Sequence, residues 1–403
     1  MRRRTVVLGV PLGLLALGAC GPEGAGPTAD PEAPAPSPSV PPIAHIEPVL
    51  VGERAEVVAH TEVNLPLEMT PMVVVDPGWT SAPFQLDGIF LAHREEEDRL
   101  RYVAAEQDGT VLWHADRPLT CTDMVLTRGA EGVPVAVLPD VSDGARTLSG
   151  YHLRTAELLW GPVEAPGPQA AIGLVRAADG GPRTALAGDT GLPGLVEADL
   201  AGGRILGEHL GTVLRTEGEE LVAVGAGGEE RWRVPLPAGV AAAEAEILGA
   251  VDPGTSFAAI GGTGTGDGRA AGAVLDLRDG RLIAEDARAV ARDHVLEVTV
   301  VASGRLVRGL DDDGVEQWRH EDPEPLVLIS AGERLAYAVR RQEGTVVVLD
   351  TGKGQMVQPY DVDAAHPLAL PELFSAETAA AVRVLERRLL VTTEFDPEYG
   401  RRR

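Results

Sequence analysis

The sequence predicts an all-β domain assembled from a repeated unit, and three observations carry that expectation. Only 4% of the 403 residues are aromatic, while glycine and proline number 48 and 31, a balance that suits many tight turns better than long helices. From about Ile46 onward, apolar runs of four to eight residues alternate with Gly, Asp and Pro clusters; Met72-Val73-Val74-Val75, Val133 to Leu138 and Thr345 to Leu349 are examples. Four of the five tryptophans also fall in one recurring slot. No stretch sustains a 3.6-residue period over ten residues, apart from an ambiguous one at Ala376 to Leu389.

The chain opens with a segment of a different kind. Arg2, Arg3 and Arg4 precede an uncharged apolar run from Thr5 to Ala19. At ~1.5 Å rise per residue that run is too short to cross a ~30 Å hydrocarbon core comfortably, so it reads as a secretory signal rather than a permanent span. Its end, Leu17-Gly18-Ala19-Cys20, resembles a bacterial lipobox. The resemblance implies that residues 1–19 are removed and that Cys20 becomes the lipidated first residue of the mature chain, anchoring it to the cell membrane on the extracytoplasmic side. Residues 20–45 are rich in Pro, Ala, Gly and Ser without apolar periodicity, which predicts a disordered tether. The repeat domain is then expected over 46–403.

Within it, Gly109-Thr110-Val111-Leu112-Trp113, Gly228 to Trp232 and Gly314 to Trp318 share the form Gly-x-x-x-Trp, and Ala156 to Trp160 repeats it with Ala for Gly. Copies without Trp run from Asp199 to Leu206, Asp276 to Ile283 and Asp350 to Val357. The unit is therefore strand, Asp-x-x-x-Gly turn, strand. Asp can bond its own downstream amides and Gly accepts positive φ. The slots fall at 113, 160, near 207, 232, near 284, 318 and near 358, and the short interval from 207 to 232 is anomalous. Trp79, in Asp76-Pro77-Gly78-Trp79, lies outside the slot and is expected in a loop.

This unit resembles the repeat of the pyrroloquinoline-quinone-like (quinoprotein-type) β-propellers. The resemblance implies a propeller in which the Gly opens the turn into the outer strand. Trp113, Trp160, Trp232 and Trp318 would then be structural anchors packed between neighbouring blades. Eight blades at about 45 residues each fit 46–403 better than seven. An eighth would close the ring by pairing strands from both ends: Ala381 to Leu385 and Leu389 to Thr393 with Pro48 to Val51 and Ala55 to Val58.

Composition narrows function by exclusion. With 35 basic and 61 acidic residues the formal net charge is −26, which disfavours nucleic acid as a partner. Lys353 is the single lysine, and arginine dominance points to a high-GC bacterial host. Two cysteines, Cys20 and Cys121, make neither a disulfide scaffold nor a zinc cluster, and Cys121 reads as buried and inert. No cofactor is expected: the quinoprotein dehydrogenases carry two adjacent cysteines, which this chain lacks. Gly261 to Gly268 has G-x-G spacing but opens no helix, so it reads as a hairpin loop rather than a nucleotide site. Asp311-Asp312-Asp313-Gly314 lacks the distal Glu of a calcium loop, since Asp322 stands there, and no metal is expected. Glu95-Glu96-Glu97-Asp98 reads as a solvated loop tip, or as an ionic contact for a basic partner. No catalytic residue is assigned; neither H-E-x-x-H nor G-x-S-x-G occurs.

These readings favour a membrane-anchored, non-catalytic scaffold or sensor with an unidentified protein or cell-envelope partner. In a diderm host the resemblance would extend to the eight-bladed lipoprotein of the outer-membrane β-barrel assembly machine, although the composition argues for a Gram-positive one. The alternative is an extracellular hydrolase or lyase with paired carboxylates in the propeller channel.

Overall fold

A computed structural model describes residues 46–200, 202–225, 227–249, 256–262 and 272–397. The leader, Cys20, the tether and residues 263–268 of the glycine run lie outside the described residues. Among those described there are strands, turns and three single-turn 3-10 segments, with no α-helix.

The N-terminal strands are β1 (Ile46–Arg54), β2 (Glu56–Val57) and β3 (Met72–Trp79). Blade 1 follows with β4 (Phe84–Leu86), β5 (Ile89–Glu95), β6 (Leu100–Glu106) and β7 (Thr110–Arg117). Blade 2 is β8 (Val125–Arg128), β9 (Pro134–Ser142), β10 (Ala145–His152) and β11 (Leu158–Glu164). Blade 3, built of the shortest strands, is β12 (Gln169–Ala171), β13 (Val175–Arg176), β14 (Thr184–Leu186) and β15 (Pro193–Val196). Blade 4 is β16 (Ile205–His209), β17 (Thr212–Glu217), β18 (Glu220–Gly225) and β19 (Glu230–Pro235). Blade 5 is β20 (Ala245–Leu248), β21 (Phe257–Gly262), β22 (Gly272–Asp276) and β23 (Leu282–Glu285). Blade 6 is β24 (Ala289–Asp293), β25 (Val298–Ser303), β26 (Leu306–Leu310) and β27 (Glu316–Glu321). Blade 7 is β28 (Leu326–Gly332), β29 (Leu335–Arg340), β30 (Val346–Asp350) and β31 (Met356–Val357). Blade 8 takes β32 (Leu370–Phe374), β33 (Ala380–Val384) and β34 (Arg387–Phe395) from the C-terminal end and β3 from the N-terminal end.

Strands within each blade are antiparallel neighbours, and first strands touch between most successive blades, including β32 against β4. The result is a closed eight-bladed β-propeller. The ambiguous stretch at Ala376 to Leu389 contributes to the β33–β34 hairpin.

Closure differs in detail from the sequence expectation. Val74 and Val75 of β3 pair with Val391 and Leu390, and β2 adds outside β3 through Glu56 opposite Asp76. Pro48 to Val51 does not close blade 8. β1 instead forms a fifth strand on the outer edge of blade 1, with Leu50 opposite Trp113. The physical reason is patterning: Val73, Val74 and Val75 of β3 are buried, whereas β1, with Glu47, Glu53 and Arg54, is exposed along nearly its whole length. The segment between β2 and β3 adds a second latch. Asn64 N–H donates to the Pro367 carbonyl and the Ala369 N–H to the Asn64 carbonyl, each at 2.9 Å. Val63, Leu65 and Met69 are buried in one cluster with Tyr337 and Tyr360.

The anomalous slot near 207 is also corrected. Ile205 to His209 is the first strand of blade 4, and the outer strand of blade 3 is β15. The misreading arises because Gly202-Gly203, which connects two blades, carries the same turn chemistry as a hairpin within one.

Candidate functional site

Trp113, Trp160, Trp232 and Trp318 sit at equivalent places, in the outermost strand of the four-strand unit in blades 1, 2, 4 and 6. Each lies opposite a small residue of its own third strand: Ala104, Gly150, Ala223 and Gly309 respectively. Each indole N–H donates to a carbonyl in the next blade: Leu153, Gly188, Leu277 and Thr351. The turns that receive them close by a bond from residue i+4 to residue i, as between Gly280 and Asp276 and between Gly354 and Asp350. Gly280 has φ +76° and a Cβ there would lie 2.7 Å from the Trp232 ring, so both backbone and space demand glycine. Trp113 is fully buried and Trp160 and Trp318 nearly so, but Trp232 is only half-buried.

Trp79 is not in an exposed loop. It ends β3, is completely buried, and donates its N–H to the Val103 carbonyl at 3.0 Å. In the closing blade, Val75 stands where blades 1, 2, 4 and 6 have Trp: it is opposite Leu390, and its methyls would meet a Cβ on Gly109 of blade 1.

The central channel was the expected seat of any chemistry. Between β24, β28 and β32 it has a small pocket of about 80 Å³, lined by Val290, Arg292, Ile329, Ser330, Glu372 and Leu373 among others. Its charges are already neutralised. Glu372 pairs with Arg383 at 2.7 Å and Arg388 at 3.3 Å, and Arg292 with Asp312 at 2.7 Å. Glu372 is the one carboxylate in the lining, so this pocket does not hold the acid pair that glycoside hydrolysis uses.

Sequence reasoning missed a buried carboxylate near the axis. Glu208, on the first strand of blade 4, accepts hydrogen bonds from Thr127 Oγ1 at 2.7 Å, Gly211 N at 2.6 Å and Leu174 N at 2.9 Å. Burial pushes its pKa up from the ordinary 4.5, and these donors only partly offset that shift. Neighbouring His209 is held neutral, its pKa lowered to about 4 by burial and by the Arg128 charge. A second, partly buried group joins the buried Arg176 of blade 3 and Arg146 of blade 2 to the single carboxylate of Asp123. Both are ties between blades.

The remaining motifs resolve into local structure. Asp311 Oδ1 accepts from Asp313 N and Val315 N within the β26–β27 turn. No group of three or more metal-ligating side chains occurs among the described residues. The acidic tip at Glu95 to Asp98 is compensated internally, since Arg94 pairs with Glu96 and Arg99 with Glu96 and Asp98. Cys121 is buried and free, and burial pushes its thiol pKa up. A larger cleft lies elsewhere, between blades 4 and 5, with a volume of about 400 Å³.

The ring is an eight-bladed β-propeller, and its tryptophan slots resemble the pyrroloquinoline-quinone-like repeat. A family model described as outer membrane protein assembly factor BamB matches residues 195–393. No curated protein matches the chain. Among solved structures, BamB from Moraxella catarrhalis is 11% identical, covering 86% of this chain and 98% of that one, with a TM-score of 0.41. Sqt1 from Saccharomyces cerevisiae is also 11% identical, covering 86% of this chain and 100% of that one, with a TM-score of 0.37. A prolyl endopeptidase is 14% identical over 79% of this chain and 54% of that one, with a TM-score of 0.40.

Proposed function

We propose that this protein is a lipid-anchored scaffold of the cell envelope that works by binding other proteins rather than by catalysis. The observation that carries the reading is the closed eight-bladed ring whose repeats over 195–393 match the family described as an outer membrane assembly factor. Such a ring offers broad faces of loops on a rigid frame. The channel pocket, small and with its charges paired, supports binding over chemistry. The leader and Cys20 support export and anchoring, and the tether gives the domain reach from the membrane.

Two measurements test this. Cys20→Ser should leave an unprocessed precursor or a released protein in cell fractionation; unchanged membrane retention and mature size would sink the anchor. Affinity capture of the full chain from solubilised membranes should return a stoichiometric envelope protein. Absence of any such partner, together with turnover of an envelope polymer by the purified chain, would replace the scaffold with an enzyme.

A further inference from the structure

We propose that the cleft between blades 4 and 5 receives an extended peptide segment of the partner, one that carries aliphatic side chains followed by arginine or lysine. This rests on the scaffold reading and adds the partner's chemistry to it. The cleft's volume, about 400 Å³, falls in the range of ligand-holding sites. Val234 and Leu236 form one wall, and Leu275 and Leu282 form the floor on blade 5.

Three observations point to the occupant. Leu282 is 50% exposed, so the Leu282 side of the floor is apolar surface open to solvent, over the buried Leu275. Trp232, which reaches Gly280 on the cleft's edge, stays half-buried, whereas the equivalent Trp113, Trp160 and Trp318 are covered. Blades 4 and 5 therefore leave open at the indole what the other pairs close. At one end stand Glu285 and Asp286, both exposed and with no ion pair to their carboxylates among the described residues. Arg308 approaches Glu285 but donates to its backbone carbonyl. The acidic tip at Glu95 to Asp98, by contrast, carries its own arginines. Glu285 pairs with Ala273, and Leu282 with Leu275, so apolar floor and carboxylate follow one another along the same hairpin. An extended peptide repeats its facing side chains about every 7 Å, which matches leucine against the floor and a cation at the acidic end.

The probe is fluorescein-labelled Leu-Ser-Leu-Ser-Arg-Ser-Arg, read by anisotropy against the full chain in detergent. Saturable binding is expected, at least tenfold weaker when both Arg are Glu or both Leu are Ser. Glu285→Arg with Asp286→Asn, and separately Leu282→Ser, should each weaken it at least tenfold without moving the urea midpoint, because these side chains are exposed. Equal binding by the peptide lacking Leu would reduce the interaction to bulk charge and overturn the proposal. So would unchanged affinity in the Glu285/Asp286 variant. The peptide comparison on the wild-type chain decides the matter even if a variant folds poorly. If the Glu285/Asp286 variant still captures the membrane partner at wild-type yield, the cleft proposal fails while the scaffold reading stands.

Discussion

Thr127 donates its hydroxyl to the Glu208 carboxylate at 2.7 Å, which ties the first strand of blade 2 to the first strand of blade 4 past the short blade 3. Blade 3 contributes through the Leu174 N–H on the same carboxylate. One side chain thus joins three consecutive blades where the strands themselves are shortest. Losing a partner of a buried carboxylate costs its desolvation without compensation, so Thr127→Val should destabilise the ring by about 1–3 kcal/mol.

The same carboxyl predicts a pH dependence with a definite sign. Its pKa is higher folded than unfolded, because burial disfavours the charged form. The native state then holds the proton at pH values where the unfolded chain has released it. Stability contributed by Glu208 is fully present below the ordinary 4.5 and declines as pH rises through the folded value. Urea midpoints of wild type and Glu208→Gln, compared from pH 4 to pH 8, should show the wild type losing ground as pH rises. A difference independent of pH would show that Glu208 does not titrate in this window.

The tryptophans give a graded set. Trp113, Trp160 and Trp318 are covered and hydrogen-bonded across blades, so each change to Ala should cost about 3–5 kcal/mol. Trp79 belongs with them, being fully buried and bonded to Val103, although it stands in a different place in its strand. Trp232→Ala should cost less, since that indole is only partly buried. Urea melts of the five single variants check the order; a mild Trp79→Ala or a severe Trp232→Ala would contradict it.

What could be read from the sequence was what the chain encodes locally. Short β-branched runs and Asp-x-x-x-Gly turns report themselves: Asp276 Oδ1 accepts from Arg278 N and Asp350 Oδ1 from Gly352 N, within two residues in each case. The Gly-x-x-x-Trp slot was visible because ring and turn recur together. Trp79 was not, because its strand is held by β34, over 300 residues downstream, and its indole is covered by blade 1, where it meets Phe90 and the Val103 carbonyl. Glu208 was hidden for the same reason, its hydroxyl partner being 81 residues away. The cleft between blades 4 and 5 depends on how far two sheets stand apart, which no local pattern records.

Asp322 and Arg340 give the opposite pH sign. The Arg340 guanidinium donates twice to the Asp322 carboxylate, each bond 3.0 Å, joining the end of β27 in blade 6 to β29 in blade 7. These bonds hold the Asp322 pKa below the ordinary 3.8. The contribution is present above the unfolded pKa and lost as pH falls through the folded one. Arg340→Met should therefore lower the urea midpoint at pH 7, with the gap to wild type closing as pH drops below the ordinary 3.8. A gap that persists or widens in acid would mean that the pair does not carry this stability.

The sharpest test of the tryptophan packing is a change of sign. Gly309 of β26 faces Trp318 directly across the hairpin, and a Cβ built on Gly309 would run into the indole ring. In the wild type, Gly309→Ala should overpack the site and cost about 1–3 kcal/mol. Once Trp318→Ala has removed the ring, the same change meets open space. Alanine then fits a strand better than glycine by roughly 0.5–1 kcal/mol, because it surrenders less backbone freedom on folding. Gly309→Ala should thus be destabilising alone and stabilising in the Trp318→Ala background. The double-mutant cycle would show a coupling of about 1.5 kcal/mol or more. If Gly309→Ala costs the same in both backgrounds, the ring does not lie over Gly309. The glycine opposite the tryptophan would then reflect backbone needs rather than space for the indole.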